Sequence, residues 1–170
     1  MKNEKFTSFD GTVIQCYLWD DVRNPRAVVQ ISHGMAEHAR RYDDFARFLN
    51  KNGIIVFADD HRAHGMTSTK ASKKGIQGYH KGNIYMDTVR DEMTITSHLK
   101  QRFGLPVIYL GHSYGSMVGQ RYIEMCKEHT GTILSGSAMM KGALLNTGAA
   151  IIGAQYKLCG GEKVGNLANN

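Results

Sequence analysis

The segment Gly111-His112-Ser113-Tyr114-Gly115 contains a Gly-x-Ser-x-Gly motif. It follows the apolar run 106–110, which is typical of a strand, and precedes residues 116–122, which have the pattern of a helix. In that position the motif predicts a nucleophile elbow, a turn so tight that both flanking positions need glycine and the serine hydroxyl stands clear of the sheet. The alternative is a plain Gly/Ser turn, because the motif alone is weak in a chain with 19 glycines. The strand and helix around it favour the elbow.

Strands and helices alternate on both sides of this motif. A hairpin with Asp10-Gly11 at its turn is predicted at the N-terminus, and buried strands are predicted over 27–32, 54–58 and 132–137. The helices predicted between strands include 83–102 and 40–50, the latter with one apolar face formed by Tyr42, Phe45, Phe48 and Leu49. Such alternation predicts an α/β fold with a mostly parallel sheet and helices on both faces.

The composition is that of an ordinary globular domain. With 170 residues, 42% of them hydrophobic and 21% charged, the chain is long enough to bury a core. It contains no apolar run of the roughly 20 residues that cross a membrane, and no apolar N-terminal signal. The net charge of +6 is spread along the chain without interleaved aromatic residues. This argues against nucleic acid as a partner and leaves open a weak, transient contact with an anionic membrane surface.

The three cysteines indicate a compartment. Cys16, Cys126 and Cys159 are an odd number and are widely spaced, so they fit neither a zinc site nor a disulfide framework. We therefore expect reduced thiols and a cytoplasmic protein.

Two other polar segments come after predicted strands. His33-Gly34 comes directly after the strand 27–32 and, taken alone, is best explained as a turn that ends it. Asp59 and Asp60 precede His61 and His64, which raises the question of a metal site. No compact ligand set completes such a site, and a buried, hydrogen-bonded loop explains the residues equally well. We therefore predict no metal.

Three motifs occur together along the chain. They are His33-Gly34-x-x-Glu37-His38 followed by Arg41-Tyr42, then Asp60-His61-Arg62-x-His64-Gly65, then Gly111-His112-Ser113-x-Gly115. Their order and spacing resemble those of α/β-hydrolases of the monoacylglycerol lipase and lysophospholipase group over residues 6–140. Each motif alone is weak, whereas the three together are specific. Ala63 and Thr67 are mild departures from the family loop.

The resemblance implies an α/β-hydrolase fold with a serine nucleophile and a backbone oxyanion hole. The site residues implied are the nucleophile Ser113, the elbow glycines Gly111 and Gly115, the oxyanion N–H donors of Met35 and Tyr114, and the supporting loop residues His33 and Gly34. The implied substrate is a small-molecule carboxylic ester with one acyl chain, or a lysolipid. No metal or organic cofactor is implied, and no oligomeric state.

The chain differs from this family most in the region after the elbow. The catalytic triad of the fold is completed by an acid and then a histidine, in that order. The acids after Ser113 are Glu124, Glu128 and Glu162, and the one histidine is His129. None stands where a triad member is expected. We therefore expect a C-terminally truncated hydrolase, with residues 1–140 in its core and residues 141–170 beginning a cap or lid. A further core helix is the alternative for 141–170.

These observations predict a serine hydrolase of carboxylic esters that forms an acyl-enzyme at Ser113. A serine peptidase of the prolyl-iminopeptidase type is an alternative, because it shares the elbow. A non-catalytic truncated hydrolase is the alternative of a different class, because the triad acid and histidine are absent. For the same reason we expect the chain by itself to have little or no esterase activity.

Overall fold

The computed structural model describes residues 1–67, 78–138 and 142–159 and contains a six-stranded sheet. The strands are β1 (Lys2–Thr7), β2 (Val13–Trp19), β3 (Ala27–Ser32), β4 (Ile54–Asp59), β5 (Val107–His112) and β6 (Gly131–Ser135). Their order in the sheet is β1-β2-β4-β3-β5-β6. Strands β3 to β6 are parallel, while β1 and β2 form an antiparallel hairpin on one edge. The prediction of a mostly parallel sheet is confirmed.

The helices follow the strands in the predicted alternation. A 3-10 turn (Ala39–Tyr42) leads into α1 (Asp43–Lys51), and α2 spans Ile84–Phe103, α3 Tyr114–Met125 and α4 Ala143–Cys159. The start of α2 is capped by the Asn83 side chain, which accepts a hydrogen bond from the Met86 N–H. It ends at Gly104, whose φ of 62° is the left-handed conformation that glycine adopts most readily.

The chain divides into two compact units, Met1–Ser137 and Ala138–Asn170. The first contains the whole sheet with α1, α2 and α3, and the second contains α4. The assignment of residues 141–170 to a cap stays a prediction. Within the described ranges, none of the helices has both the length and the apolar character needed to cross a membrane.

Helices cover both faces of the sheet in the first unit. On one face, Ala46 of α1 packs among Val29, Ile31 and Val56 of the central strands. On the other face, Ile95 and Leu99 of α2 pack against the strand residues that alternate with these, including Val28, Ile55 and Phe57. On that face, α3 adds Val118 and Tyr122, which pack with Tyr109 of β5 and Val89 of α2. Alternate strand residues therefore face opposite layers, as a sheet covered on both sides requires.

The predicted apolar face of α1 is partly wrong. Tyr42 and Leu49 do pack against the core, but Phe45 and Phe48 are 40% and 59% exposed. The small Ala46 is fully buried instead, and it allows the helix to lie close to the sheet. Asn50 fixes this rotation, because its side-chain amide donates to the carbonyls of Trp19 and Ile54 on two strands.

Candidate functional site

Ser113 lies on the turn between the end of β5 and the start of α3. Its φ of 51° and ψ of −112° are strained for a residue with a side chain. Hydrogen bonds from both sides hold it there. The Ser113 N–H donates to the Ser135 carbonyl at 2.9 Å, and the Ser113 carbonyl accepts from the Ser116 hydroxyl at 2.6 Å. The half-buried Ser113 side chain therefore stands at the carboxyl end of the sheet.

The two glycines of the motif permit a close approach of backbone segments. A Cβ atom on Gly111 would overlap the Gly115 carbonyl, one turn into α3. A Cβ atom on Gly115 would overlap the Ser32 carbonyl at the end of β3 and lie 2.8 Å from the His33 oxygen. Glycine is thus the residue that lets the first turn of α3 contact both β5 and β3.

The segment His33–Glu37, here called the oxyanion loop, lies against this turn. The His33 carbonyl accepts a hydrogen bond from the Gly115 N–H at 3.0 Å. A Cβ atom placed on Gly34 would lie 3.2 Å from the Ser113 Cβ. Glu37 closes the loop by accepting from the Gly34 N–H, and the Tyr42 hydroxyl donates to the same carboxylate at 3.1 Å.

Met35 and Tyr114, the two predicted oxyanion donors, directly follow Gly34 and Ser113 in the chain. Met35 directly follows Gly34, and its side chain points to solvent with 68% exposure. Tyr114 is the first residue of α3, where N–H groups and the helix dipole favour negative charge. Their roles as oxyanion donors stay predictions, as does that of Ser113 as nucleophile.

Among the described residues, no histidine is hydrogen-bonded to the Ser113 hydroxyl, so none is in position to act as its base. His129 packs on Tyr122, next to Thr130, whose N–H donates to the Val107 carbonyl at the start of β5. Ser113 lies six residues further along the chain, which is about 20 Å at the strand rise. Glu124 is exposed and paired with Arg121, and Glu162 lies outside the described residues.

A buried charge cluster, formed by Asp59, His61 and Glu92, lies behind the oxyanion loop. The His61 Nδ1 is 2.9 Å from Asp59 Oδ2 and 3.6 Å from Glu92 Oε1, and all three side chains are at most 1% exposed. The Gln30 amide donates to Glu92 Oε2 at 2.5 Å, and the Thr96 hydroxyl donates to Gln30 Oε1 at 2.7 Å. One oxygen of Asp59 and one of Glu92 have no hydrogen-bond partner.

Sequence reasoning missed Glu92. The signal was present, because Glu92 stands three residues after Val89 and seven before Leu99, on the buried face of α2. A charged residue on such a face requires a partner in the core. That partner, His61, is 31 residues away along the chain and could be identified only in three dimensions.

Burial and charge oppose each other in this cluster. Burial lowers the pKa of His61, but the charges of Asp59 and Glu92 outweigh it and raise the pKa to about 9. Burial, followed by the charge of Asp59, raises the pKa of Glu92 to about 8. Burial and the charge of His61 hold the pKa of His33 well below its usual range. At neutral pH the cluster therefore holds a charged His61 beside a neutral His33.

The loop after β4 is buried and hydrogen-bonded, as one of the two interpretations of it predicted. Asp60 accepts from the N–H groups of Ala39 and Met66 at 2.9 and 2.8 Å. Arg62 makes a two-pronged contact with Asp91 of α2 at 2.5 and 2.7 Å. A second carboxylate, Asp10 in the β1–β2 turn, contacts the same guanidinium at 2.7 Å.

Metal ligation is the other interpretation of these residues. Among the described ranges, Asp59, His61 and Glu92 form a group of ligand-type side chains whose donor atoms all lie within 4.8 Å of one another. The His61 Nδ1 faces Asp59 at hydrogen-bond distance, and all three side chains are sealed from solvent. We interpret the group as a hydrogen-bonded charge cluster.

Comparison with known proteins identifies a family and several relatives that this chain matches. The family described as "Serine aminopeptidase, S33" matches residues 23–158. The chain is 37% identical over 111 residues to the monoglyceride lipase homolog of Monkeypox virus, which covers 65% of this chain and 38% of the relative. It is 33% identical over 139 residues to the monoacylglycerol lipase of Mycolicibacterium smegmatis, which covers 79% of this chain and 46% of the relative.

A solved structure shows the same fold. The thermostable carboxyl esterase from Bacillus coagulans, in complex with glycerol, superposes with a TM-score of 0.81 at 29% identity. The match covers 99% of this chain and 54% of the esterase. The chain therefore spans less than half the length of these two curated relatives and about half of the esterase.

Proposed function

The chain belongs to the serine aminopeptidase S33 family and has the α/β-hydrolase fold, and we propose that it is a serine hydrolase of carboxylic esters with Ser113 as its nucleophile. The observation that carries this proposal is the placement of Ser113. Its strained turn ends β5, touches the oxyanion loop through Gly34, and opens α3. Strain of this kind at a serine between a strand and a helix N-terminus is typical of a reactive serine.

In the proposed reaction the Ser113 Oγ attacks the ester carbonyl carbon and gives its proton to a base. The carbonyl oxygen becomes an oxyanion, which accepts hydrogen bonds from the N–H groups of Met35 and Tyr114. Collapse breaks the bond to the alcohol, which leaves with the proton, and water then releases the acid from Ser113. The chemistry requires no metal or organic cofactor.

The base is the part of this machinery that the described residues do not supply. His33 and His61 are bound to each other and to neighbouring carbonyl and carboxylate groups. His129 lies at the opposite end of the sheet. We therefore propose that this chain alone turns over esters slowly, because an unassisted hydroxyl is a poor nucleophile.

The relatives support a substrate class. One is named a monoacylglycerol lipase and the other a monoglyceride lipase homolog, which supports a substrate with one acyl chain such as a monoacylglycerol. A lysolipid also has one acyl chain and remains part of the proposal. A peptidase is the second candidate, because the family description names an aminopeptidase. Cys16 and Cys126 are buried, unpaired thiols, which supports the cytoplasm as the compartment.

Chemical rescue tests the proposal on the chain as it is. We expect slow hydrolysis of p-nitrophenyl butyrate that rises with added imidazole, because imidazole replaces the missing base. The Ser113→Ala variant measures the hydrolysis caused by imidazole itself. Ser137→Ala is the matched control, since that exposed serine contacts Gln120 and lies outside the elbow. Rescue should persist in Ser137→Ala and vanish in Ser113→Ala.

Two outcomes would oppose the assignment. Equal rescue in the chain and in Ser113→Ala would show that Ser113 is not the nucleophile. Rescued cleavage of an amino-acid p-nitroanilide in preference to the ester would favour the peptidase.

A further inference from the structure

We propose that His61 is a positioning residue that holds the oxyanion loop against the elbow through the His33 carbonyl. The catalytic role of that loop rests on the proposed function, whereas the contacts that hold the loop are features of the fold. His61 is buried, with 1% exposure, so a substrate in solvent cannot reach its ring. It would therefore act on the reaction through His33 and not on the substrate.

His61 and His33 are joined at two points. The His61 Nε2 lies 3.1 Å from the His33 carbonyl oxygen, and the His61 backbone N–H donates to His33 Nε2 at 3.1 Å. The two rings stack with their centroids 3.8 Å apart. Because His33 Nε2 accepts, the ring proton of a neutral His33 is on Nδ1, which donates to the Gly34 carbonyl at 2.7 Å.

The His33 carbonyl is the junction between the loop and the elbow. It accepts from the Gly115 N–H at 3.0 Å as well as from His61. A carbonyl oxygen has two lone pairs, so these two donors use its full capacity. Loss of the His61 donor would leave the oxygen buried with one partner and free to shift. Any shift would move Gly34 and Met35, which follow it directly.

The geometry requires a proton on both ring nitrogens of His61. A carbonyl can only accept, so Nε2 must carry a hydrogen. Nδ1 faces the Asp59 carboxylate at 2.9 Å, which also accepts, and the Glu92 carboxyl lies 3.6 Å away. A neutral imidazole has one N–H and would give up one of the two contacts. The charge cluster therefore keeps His61 in the form that can bind Asp59 and His33 together.

The other titratable groups around His61 are neutral near pH 7. Burial raises the pKa of the thiol or phenol on each neighbouring strand and helix, namely Cys16 on β2, Tyr109 on β5 and Tyr114 on α3. Burial lowers the pKa of His64, whose ring meets the His61 ring edge-on at 6.2 Å. The acidic groups facing His61 are thus Asp59 from β4 and Glu92 from α2, and burial raises the pKa of the Glu92 carboxyl to about 8. Raising the pH through about 9 removes the His61 proton and one of its two contacts.

Nuclear magnetic resonance tests the positioning role of His61 without measuring ester hydrolysis. A negative result would therefore refute this role and leave the proposed function untouched. The measurement follows the His61 ring nitrogens and the Gly34, Met35 and Gly115 amides of the 15N-labelled chain from pH 6 to 10. We expect both ring nitrogens to be protonated at pH 7. The three amide signals should shift with the same midpoint, near 9, as the His61 ring.

Two variants separate positioning from general stability. His61→Gln keeps a side-chain N–H donor without a titrating ring, so the amide shifts near pH 9 should disappear while the fold remains. His129→Gln, about 20 Å from Ser113 by the strand rise, is the control and should leave those shifts unchanged. If His61→Gln fails to fold, the titration of the unaltered chain still decides the question.

The proposal is overturned by an unprotonated Nε2 at pH 7. It is also overturned if the three amides do not follow the His61 titration, or follow it equally in His61→Gln. Loss of the Nδ1 proton on adding one equivalent of zinc, reversed by a chelator, would assign the cluster to a metal instead.

Discussion

Gly115 shows how closely the elbow depends on single atoms. Its position lies where the first turn of α3 meets the Ser32 and His33 carbonyls. These neighbours are backbone atoms at the end of a central strand, so they cannot rotate away as a side chain would. The same contact carries the hydrogen bond from the Gly115 N–H to His33. Stability and site geometry are therefore determined at the same place.

We predict that Gly115→Ala lowers the free energy of unfolding by about 3 kcal/mol, since added methyl groups in packed regions cost about 1–3 kcal/mol and backbone neighbours cannot relax. The measurement is urea unfolding followed by circular dichroism. Gly131→Ala is the control, because a Cβ atom there meets nothing within 4 Å. Its effect should stay within about 0.5 kcal/mol. Equal effects of the two substitutions would refute the close approach at Gly115.

Among the elements, the loop after β4 is joined to two other segments by the side chain of Arg62. Arg62 contacts Asp91 on α2 and Asp10 in the β1–β2 turn, and it is 3% exposed. Its bond to Asp10, together with the Arg62 charge, holds the pKa of Asp10 below its usual range, although burial opposes this. The guanidinium thus joins three segments that are far apart in the sequence, and it holds the loop that carries His61.

We predict that Arg62→Met lowers the free energy of unfolding by about 3–5 kcal/mol, because it leaves the buried Asp91 carboxylate without its charged partner. Arg47→Met is the matched control. That arginine pairs with Asp43 at 2.8 Å on the surface, where such pairs contribute less than about 1 kcal/mol. Denaturant unfolding of both variants provides the comparison. If Arg62→Met lowers the free energy of unfolding no more than Arg47→Met does, the Arg62–Asp91 pair is not effectively buried.

Periodicity predicted most elements well, and packing explains where it did not. The bounds of α2 and of the central strands agree with the sequence to within about two residues, because their apolar patterns are long and regular. The buried face of α1 was misassigned because Ala46, a small residue, occupies the contact that two phenylalanines were expected to make. Side-chain volume and the bonds of Asn50 decided its rotation, and neither is visible in a pattern of apolar positions.

At the scale of the whole molecule, the elbow was predictable and the charge cluster was not. The elbow is a local motif, so its strand, turn and helix could be identified from 17 consecutive residues, 106–122. The cluster joins the end of β4 and the loop after it to α2, and these segments are far apart in the sequence. It nevertheless dominates the electrostatics of the core, because neighbouring charges raise the pKa of His61 against the effect of burial, and burial together with the Asp59 charge raises the pKa of Glu92.

This cluster predicts how the stability of the molecule depends on pH. The folded pKa of His61 is raised from 6.5 to about 9, so its contribution is complete below pH 6.5 and is lost as the pH rises through about 9. The raised pKa of Glu92, about 8, acts in the same direction, because the folded state binds that proton more tightly than the unfolded state. We predict that the free energy of unfolding falls by about 1–3 kcal/mol between pH 7 and pH 9.5.

Chemical unfolding at the two pH values measures this fall, and Glu92→Gln shows whether the cluster causes it. That substitution keeps the shape of the side chain, removes one titrating group and takes a negative charge from His61. The pKa of His61 should therefore drop and the decline in stability between pH 7 and pH 9.5 should become smaller. A stability that stays constant or rises from pH 7 to pH 9.5 would mean that neither His61 nor Glu92 holds its proton more tightly in the folded protein than in the unfolded chain.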